Sequence, residues 1–241
     1  MKLAKIKAKT VRHMVYEQLR EKIISAEILP GEQISLRDLA GKLGVSLMPV
    51  REALWQLESE NVIVIEMNKS MHVNNLTPTQ MDEILRIRLV LEAMAAERAC
   101  DLRPESALPK LERLLCEMDR SVTSPKRYLE KNRRFHFTLY SLADSPILLD
   151  MIDGLWARVG PYLYIVTQRS RNLSTSMKYH YEIFDGLVKR DKKRIVAGLH
   201  GDLETAAEVM KPLLDSFATE NTGGELRRFR VGTLEDQDRG A

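Results

Sequence analysis

Cysteine is almost missing from this sequence: Cys100 and Cys116 are the only two, they form no Cys-x-x-Cys pair, and no disulfide framework can be read from them. Long hydrophobic runs are missing too. No uninterrupted apolar stretch approaches the roughly 20 residues needed to span a bilayer, and the lysine-studded start lacks the apolar segment of a secretory signal. Both absences point to a cytoplasmic protein without a membrane partner. Charge of one sign is also scarce, with 37 Lys and Arg against 34 Asp and Glu and a formal net charge of +3. Composition alone therefore makes no strong case for a polyanion partner. Finally, no His-Glu-x-x-His motif, nucleophile elbow or phosphate loop occurs, which argues against an enzyme.

What is present is enough apolar material, 44% of 241 residues, for one large packed domain or two modest ones. Residues 10–75 read as three helices and a hairpin. Val11, Val15, Leu19 and Ile23 recur every four residues and give the first helix one apolar stripe, ending before Pro30-Gly31. Ser35-Leu36-Arg37-Asp38 resembles a capping box, with Ser35 placed to accept an orphan N–H of a short second helix. Gly44 stands where that helix must turn, and Ser46 is placed to cap the third. Val50, Ala53, Leu54 and Leu57 form the buried face of this third helix, and Pro49 is tolerable in its first turn. Val62–Glu66 and Ser70–Asn74, on either side of Asn68-Lys69, read as two strands and a turn. The first twelve residues carry Lys2, Lys5, Lys7, Lys9 and Arg12 without an acidic residue. They are either a basic arm that lies along phosphates or a solvated tail.

Thr77-Pro78, a cap followed by proline at the first helical position, divides residues 1–76 from a second region, 77–218, with hardly any strand signal. Helices are expected over 78–101, 105–120, 125–142, 146–169, 174–190 and 192–218, packed as an antiparallel bundle, with Gly160-Pro161 kinking or breaking the fourth. Residues 219–241, which include Thr222-Gly223-Gly224, are polar and glycine-containing, and a flexible tail is expected there.

On the third helix Leu47, Met48 and Arg51 are not spent on the core. In a helix-turn-helix the second helix presents its N-terminal residues to base edges in the major groove. Arg51 is the candidate for a bidentate guanine contact, worth about 1–3 kcal/mol of discrimination, and Arg37 is placed for a phosphate or base edge beside it. A surface ion pair with a nearby Glu is the alternative for either arginine. The ordered run Pro30-Gly31-Glu32, Leu36-Arg37-Asp38-Leu39-Ala40, Leu43-Gly44-Val45-Ser46 and Pro49-Val50-Arg51-Glu52-Ala53-Leu54, with Leu57 and Glu60, resembles the winged-helix signature of the GntR family. The resemblance implies a double-stranded DNA operator as partner, with Arg37, Ser46 and Arg51 on the DNA and Leu47, Met48 and Lys69 beside them. Leu47 and Met48 stand where that family commonly has Arg and Thr, and Ser70 where its wing usually has Gly. These departures shift readout from hydrogen bonds toward thymine methyl groups.

In the second region, Ile87-Arg88-Leu89-Val90-Leu91-Glu92 resembles the Arg-x-x-Leu-Glu opening of the FCD effector domain found in the FadR-like branch. Arg88 shares a helix face with Ile84, Leu91 and Ala95 and points inward. A buried guanidinium needs a partner, either a ligand carboxylate or an internal Asp or Glu. Asn132 and His136 lie four apart on one face, while His180 and a residue near 200 sit on later helices, and converging helices are where bundle metal sites are built. The resemblance implies a divalent metal (zinc, nickel or manganese) on Asn132, His136, His180 and Asp202, with His200 as substitute if the register slips. The alternative is a polar pocket in which Arg88, Asn132, His136 and His180 contact a small-molecule effector directly. Ser145-Pro146-Ile147 through Gly160-Pro161-Tyr162 resembles a subset of these domains that includes the McbR-like regulators. Trp156, Tyr162, Tyr164, Met94 and Met118 either line the effector cavity or are ordinary core.

The fold expected is mainly α, a winged helix-turn-helix followed by an FCD-like bundle. The function expected is a homodimeric, effector-controlled repressor whose two recognition helices enter successive major grooves of a roughly palindromic operator. Two rivals are a metal-dependent enzyme built on the bundle, with the N-terminal region as accessory, and a nonspecific DNA-packaging protein.

Overall fold

The computed structural model describes residues 10–66, 70–169 and 173–220, with side chains left out at 169 and 215–220. The lysines before residue 10, Lys69 and the chain beyond 220 lie outside the described residues.

Three helices, α1 (Val11–Ile24), α2 (Leu36–Leu43) and α3 (Leu47–Ser59), precede a hairpin of β1 (Ile63–Ile65) and β2 (Met71–Val73). Local chemistry sets the boundaries. Thr10 caps α1 by accepting from the His13 N–H, and Ser35 caps α2 by accepting from the Asp38 N–H. Gly44 ends α2 at φ 64°, a left-handed conformation that costs a residue without Cβ almost nothing. The hairpin is antiparallel, with Ile63 opposite Val73 and Ile65 opposite Met71. Its shortest expected ends still pair through the backbone, Glu66 to Ser70 and Asn74 to Val62. Sequence reading missed a third extended segment: Gln33 bridges His72, and Gly31 and Ile34 donate to Val73 and Met71. Val15, Leu19, Ile23, Val50, Ala53, Leu54, Leu57, Ile63 and Val73 meet in one core. Val11, the first member of the predicted stripe, is exposed.

The remaining helices are α4 (Pro78–Leu102), α5 (Leu108–Asp119), α6 (Pro125–Ser141), α7 (Pro146–Arg169), α8 (Ser174–Lys189) and α9 (Lys192–Glu220). Thr77 and Gln80 form a reciprocal capping box at the start of α4, with Pro78 at the first helical position. The stretch expected as one helix from 105 opens with a 3₁₀ turn, Glu105–Ala107, before α5. Of the kink or break expected at Gly160-Pro161, the break does not occur: α7 continues through Pro161. Proline removes one backbone hydrogen bond, but the contacts around it hold the helix. A Cβ on Gly160 would stand 2.8 Å from Ile24 Cγ2, so the missing side chain lets α1 press against α7. Next to it, the buried Tyr162 hydroxyl accepts from the Leu76 N–H at 2.7 Å. Ala157 of α7 belongs to the same core as α1 and α3, which joins the N-terminal unit to the bundle. α9 continues to Glu220, two residues into the predicted tail. Among the described residues no helix is long and apolar enough to cross a membrane.

Candidate functional site

On α3 the side chains of Val50, Ala53, Leu54 and Leu57 are fully buried, whereas Leu47, Met48 and Arg51 face solvent. Arg37 on α2 is exposed as well. Neither arginine forms an ion pair with a described residue, so the surface-pair alternative finds no partner in Arg37 or Arg51. Ser46 occupies the N-cap position of α3 but makes no capping hydrogen bond with its side chain; the expected cap is therefore positional only, and its hydroxyl is left for another acceptor or donor. Trp55 was not foreseen. It is 54% exposed and extends the Met48–Arg51 face at helical spacing, a signal the sequence did carry.

In the bundle, Arg88 points inward as expected and finds an internal partner: its Nε donates to Glu92 Oε1 at 2.6 Å, one helical turn on. Glu92 is 0% exposed and is satisfied three times, because Trp156 Nε1 also donates to Oε1 at 3.0 Å and the Tyr140 hydroxyl donates to Oε2. The Tyr140 proton is thus spent on Glu92. His136 Nδ1, 2.9 Å from the Tyr140 oxygen, must supply the proton of that contact, which leaves His136 Nε2 as a lone pair. His180 Nδ1 lies 2.8 Å from the Ser176 carbonyl and must likewise donate, so His180 Nε2 is also a lone pair.

These two lone pairs face each other at 3.1 Å. Asn132 Oδ1 is 2.7 Å from His180 Nε2, and Asp202 Oδ2 is 3.4 Å from His136 Nε2. Four acceptors from α6, α8 and α9 converge, and His136, His180 and Asp202 could hold a metal ion together. Such a group attracts a cation, either an added proton or a metal. Two nitrogens that share a metal at about 2.0–2.1 Å stand about 3 Å apart, the separation found here, and each imidazole already donates its other N–H outward, as metal-bound histidines do. The donors therefore fit a divalent ion. Burial lowers the His180 pKa, with help from His136 and against Asp202. Burial pushes Asp202 up, but His180, His136 and Arg88 outweigh it and keep the carboxyl below its usual range. Both directions favour the unprotonated ligand forms. His200 is turned away, its Nε2 3.3 Å from the Leu89 carbonyl, because two residues along α9 carry it to another face.

A cavity of about 610 Å³ opens on this cluster, lined by Arg88, Asn132, Trp156, Thr167, Ser176 and Asp202 among others. Trp156 is a lining residue and sits under the Arg88 guanidinium at 4.8 Å. The other candidates divide. Tyr162 is a buried strut, Met118 is core, Met94 is on the surface, and Tyr164 lines a different cleft between α1, α6 and α7. Sequence reading missed Tyr140, although it lies four residues beyond His136 on the same face. It had no signal for Ser176, whose contribution is a backbone carbonyl.

The chain matches two family descriptions: bacterial regulatory proteins of the gntR family over residues 11–73 and the FCD domain over residues 83–205. Among curated proteins it is 30% identical to the HTH-type transcriptional regulator McbR of Escherichia coli (strain K12), over 78% of this chain and 87% of that protein. It is 26% identical to the HTH-type transcriptional repressor RspR of the same strain, over 84% and 90%, and 27% identical to the gluconate operon transcriptional repressor of Bacillus subtilis (strain 168), over 86% and 87%. Among solved structures, E. coli McbR/YncC superposes with a TM-score of 0.74 at 27% identity, covering 89% of this chain and 100% of that one.

Proposed function

Because the chain belongs to the GntR family and carries an FCD domain, it is a transcription regulator rather than an enzyme, and we propose that α3 reads an operator whose affinity is set from the cavity in the bundle. The observation that carries the proposal is the convergence of four lone-pair donors at the base of that cavity. A divalent ion on Asn132, His136, His180 and Asp202 would supply a fixed positive charge, and with Arg88 it would favour an effector bearing a carboxylate. Residues 1–76 serve as the reading head and 77–218 as the sensor. Arg37, Ser46 and Arg51 meet phosphates and base edges, while Leu47 and Met48 offer apolar contact to thymine methyls.

Two copies act together in this reading. Ile87, Val90 and Met94 on α4 and Ile147 and Met151 on α7 are exposed, on two helices that pack against each other. A two-fold contact over this face would place two α3 helices on one duplex. Repression is the expected output, in keeping with the names of RspR and the gluconate repressor.

The experiment is selection of bound sequences from random duplex DNA, with zinc and with chelator, by the wild type and by Arg51→Ala. A short palindrome should be enriched, and Arg51→Ala should lose about 5–150-fold in affinity for it. No enrichment at moderate salt, or unchanged binding by Arg51→Ala, would refute the assignment of the reading helix.

A further inference from the structure

At the junction of the two regions, one carboxylate is shared by two guanidinium groups from different sides. Arg20 of α1, 8% exposed, donates through Nη2 to the Asp153 carbonyl at 2.9 Å and to Asp153 Oδ2 at 2.6 Å. The other oxygen, Oδ1, accepts from Arg133 Nη2 at 2.6 Å. Arg133 follows Asn132 directly in α6, and its guanidinium is held over the Phe137 ring at 4.6 Å. On the far side, Arg20 Nε stands 3.9 Å from Glu60, the residue that ends α3, and Glu60 accepts from the Tyr16 hydroxyl at 2.8 Å and from Gln56. The chain of contacts therefore runs from a candidate metal ligand to the end of the reading helix. A cleft of about 700 Å³ lined by Arg20, Arg133 and Asp153 shares Leu129, Asn132, Trp156 and Leu163 with the effector cavity, so the bridge and the site have a common wall.

We infer that Arg20–Asp153–Arg133 is the positioning element that passes the state of the sensor site to the DNA-reading helix. The inference rests on the sensor reading above. Arg20 and Arg133 hold opposite oxygens of one carboxylate in a partly desolvated cleft, where charge-assisted bonds are directional. A shift of α6 that moves Arg133 changes how firmly Asp153 holds Arg20. Because α1 and α3 share one core, a change in the hold on α1 alters where α3 stands. If both sites bias this contact, linkage makes the coupling reciprocal.

The test follows backbone hydrogen exchange in the full-length protein, with and without the duplex recovered by selection, for wild type, Arg133→Gln, Arg133→Lys and Asp153→Asn. In the wild type the duplex should alter exchange in α6 as well as in α1 and α3. In Arg133→Gln it should still protect α3, while the α6 response is lost; Arg133→Lys should restore part of it. Zinc supplies the reciprocal arm: it should shift the wild-type operator Kd by about 5-fold or more, and the shift should collapse in Arg133→Gln at unchanged zinc content. A wild type without an α6 response, or an Arg133→Gln variant with the full one, overturns the inference. Absence of zinc from the wild type would instead remove the metal reading, and the DNA arm would still decide this one. Arg133 has a 39% exposed side chain and Asp153 keeps Arg20 as a partner without it, so its replacement should lower the melting temperature only slightly; a merely structural role would move that temperature and not the exchange response.

Discussion

Replacing Glu92 with Gln changes one oxygen into an amide nitrogen at the centre of the bundle, and the structure dictates where the consequences go. Gln can still accept from Arg88 and Trp156 through its oxygen, but its NH2 must face the Tyr140 oxygen. Tyr140 can then no longer donate to residue 92, and its proton turns to His136 Nδ1, 2.9 Å away. His136 is driven into the tautomer that carries its proton on Nε2, which fills the lone pair offered to the metal. Changes to the hydrogen-bond partners of metal-bound histidines typically cost 10–100-fold in affinity, and zinc binding should weaken by about that factor. Stability should fall too. Removing one member of a buried ion pair costs about 3–5 kcal/mol, and the retained acceptor moderates this to about 2–3 kcal/mol, a drop in melting temperature of about 4–12 °C for a chain of this size. Competition against a chromophoric chelator measures the first quantity, and thermal unfolding with excess chelator the second. Adding Tyr140→Phe removes the donor that flips the tautomer, so the double variant should recover part of the zinc affinity lost by Glu92→Gln alone. Wild-type zinc affinity in Glu92→Gln would refute the assignment of the histidine tautomers and with it the argument for converging lone pairs.

Two further outcomes are expected. The double replacement His136→Ala, His180→Ala should abolish bound zinc in elemental analysis while leaving nonspecific, salt-dependent DNA binding intact; unaltered metal content would eliminate the site. Gly160→Ala places a Cβ 2.8 Å from Ile24 Cγ2 and should destabilise by about 1–3 kcal/mol through overpacking. Ile24→Ala in the same chain should relieve it, and a lack of such compensation in denaturant unfolding would show that α1 and α7 are not in contact there.

Elements that depend on neighbours in the chain were legible from the sequence. The caps at Ser35 and Thr77, the left-handed Gly44, the buried face of α3 and the inward turn of Arg88 all follow from spacings of one to four residues, over which backbone geometry is nearly independent of the rest of the fold. For the same reason Asn132 and His136 could be paired by periodicity, whereas the preference for Asp202 over His200 came from the resemblance to FCD domains. Where local preference and packing disagree, packing prevailed. Pro161 is a helix breaker by itself, yet α7 continues because α1, Leu76 and Tyr162 hold both flanks. Only the tertiary structure shows how Glu92 is satisfied, since Arg88 is adjacent on the helix but its other donors, Tyr140 and Trp156, come from residues 48 and 64 positions away. The Asp153 bridge had no sequence signal at all, because Arg20 lies 133 residues from it. Short-range patterns fix which elements form and which side of each is apolar; the meeting of polar groups from distant helices is settled only when burial removes water and every donor must find an acceptor.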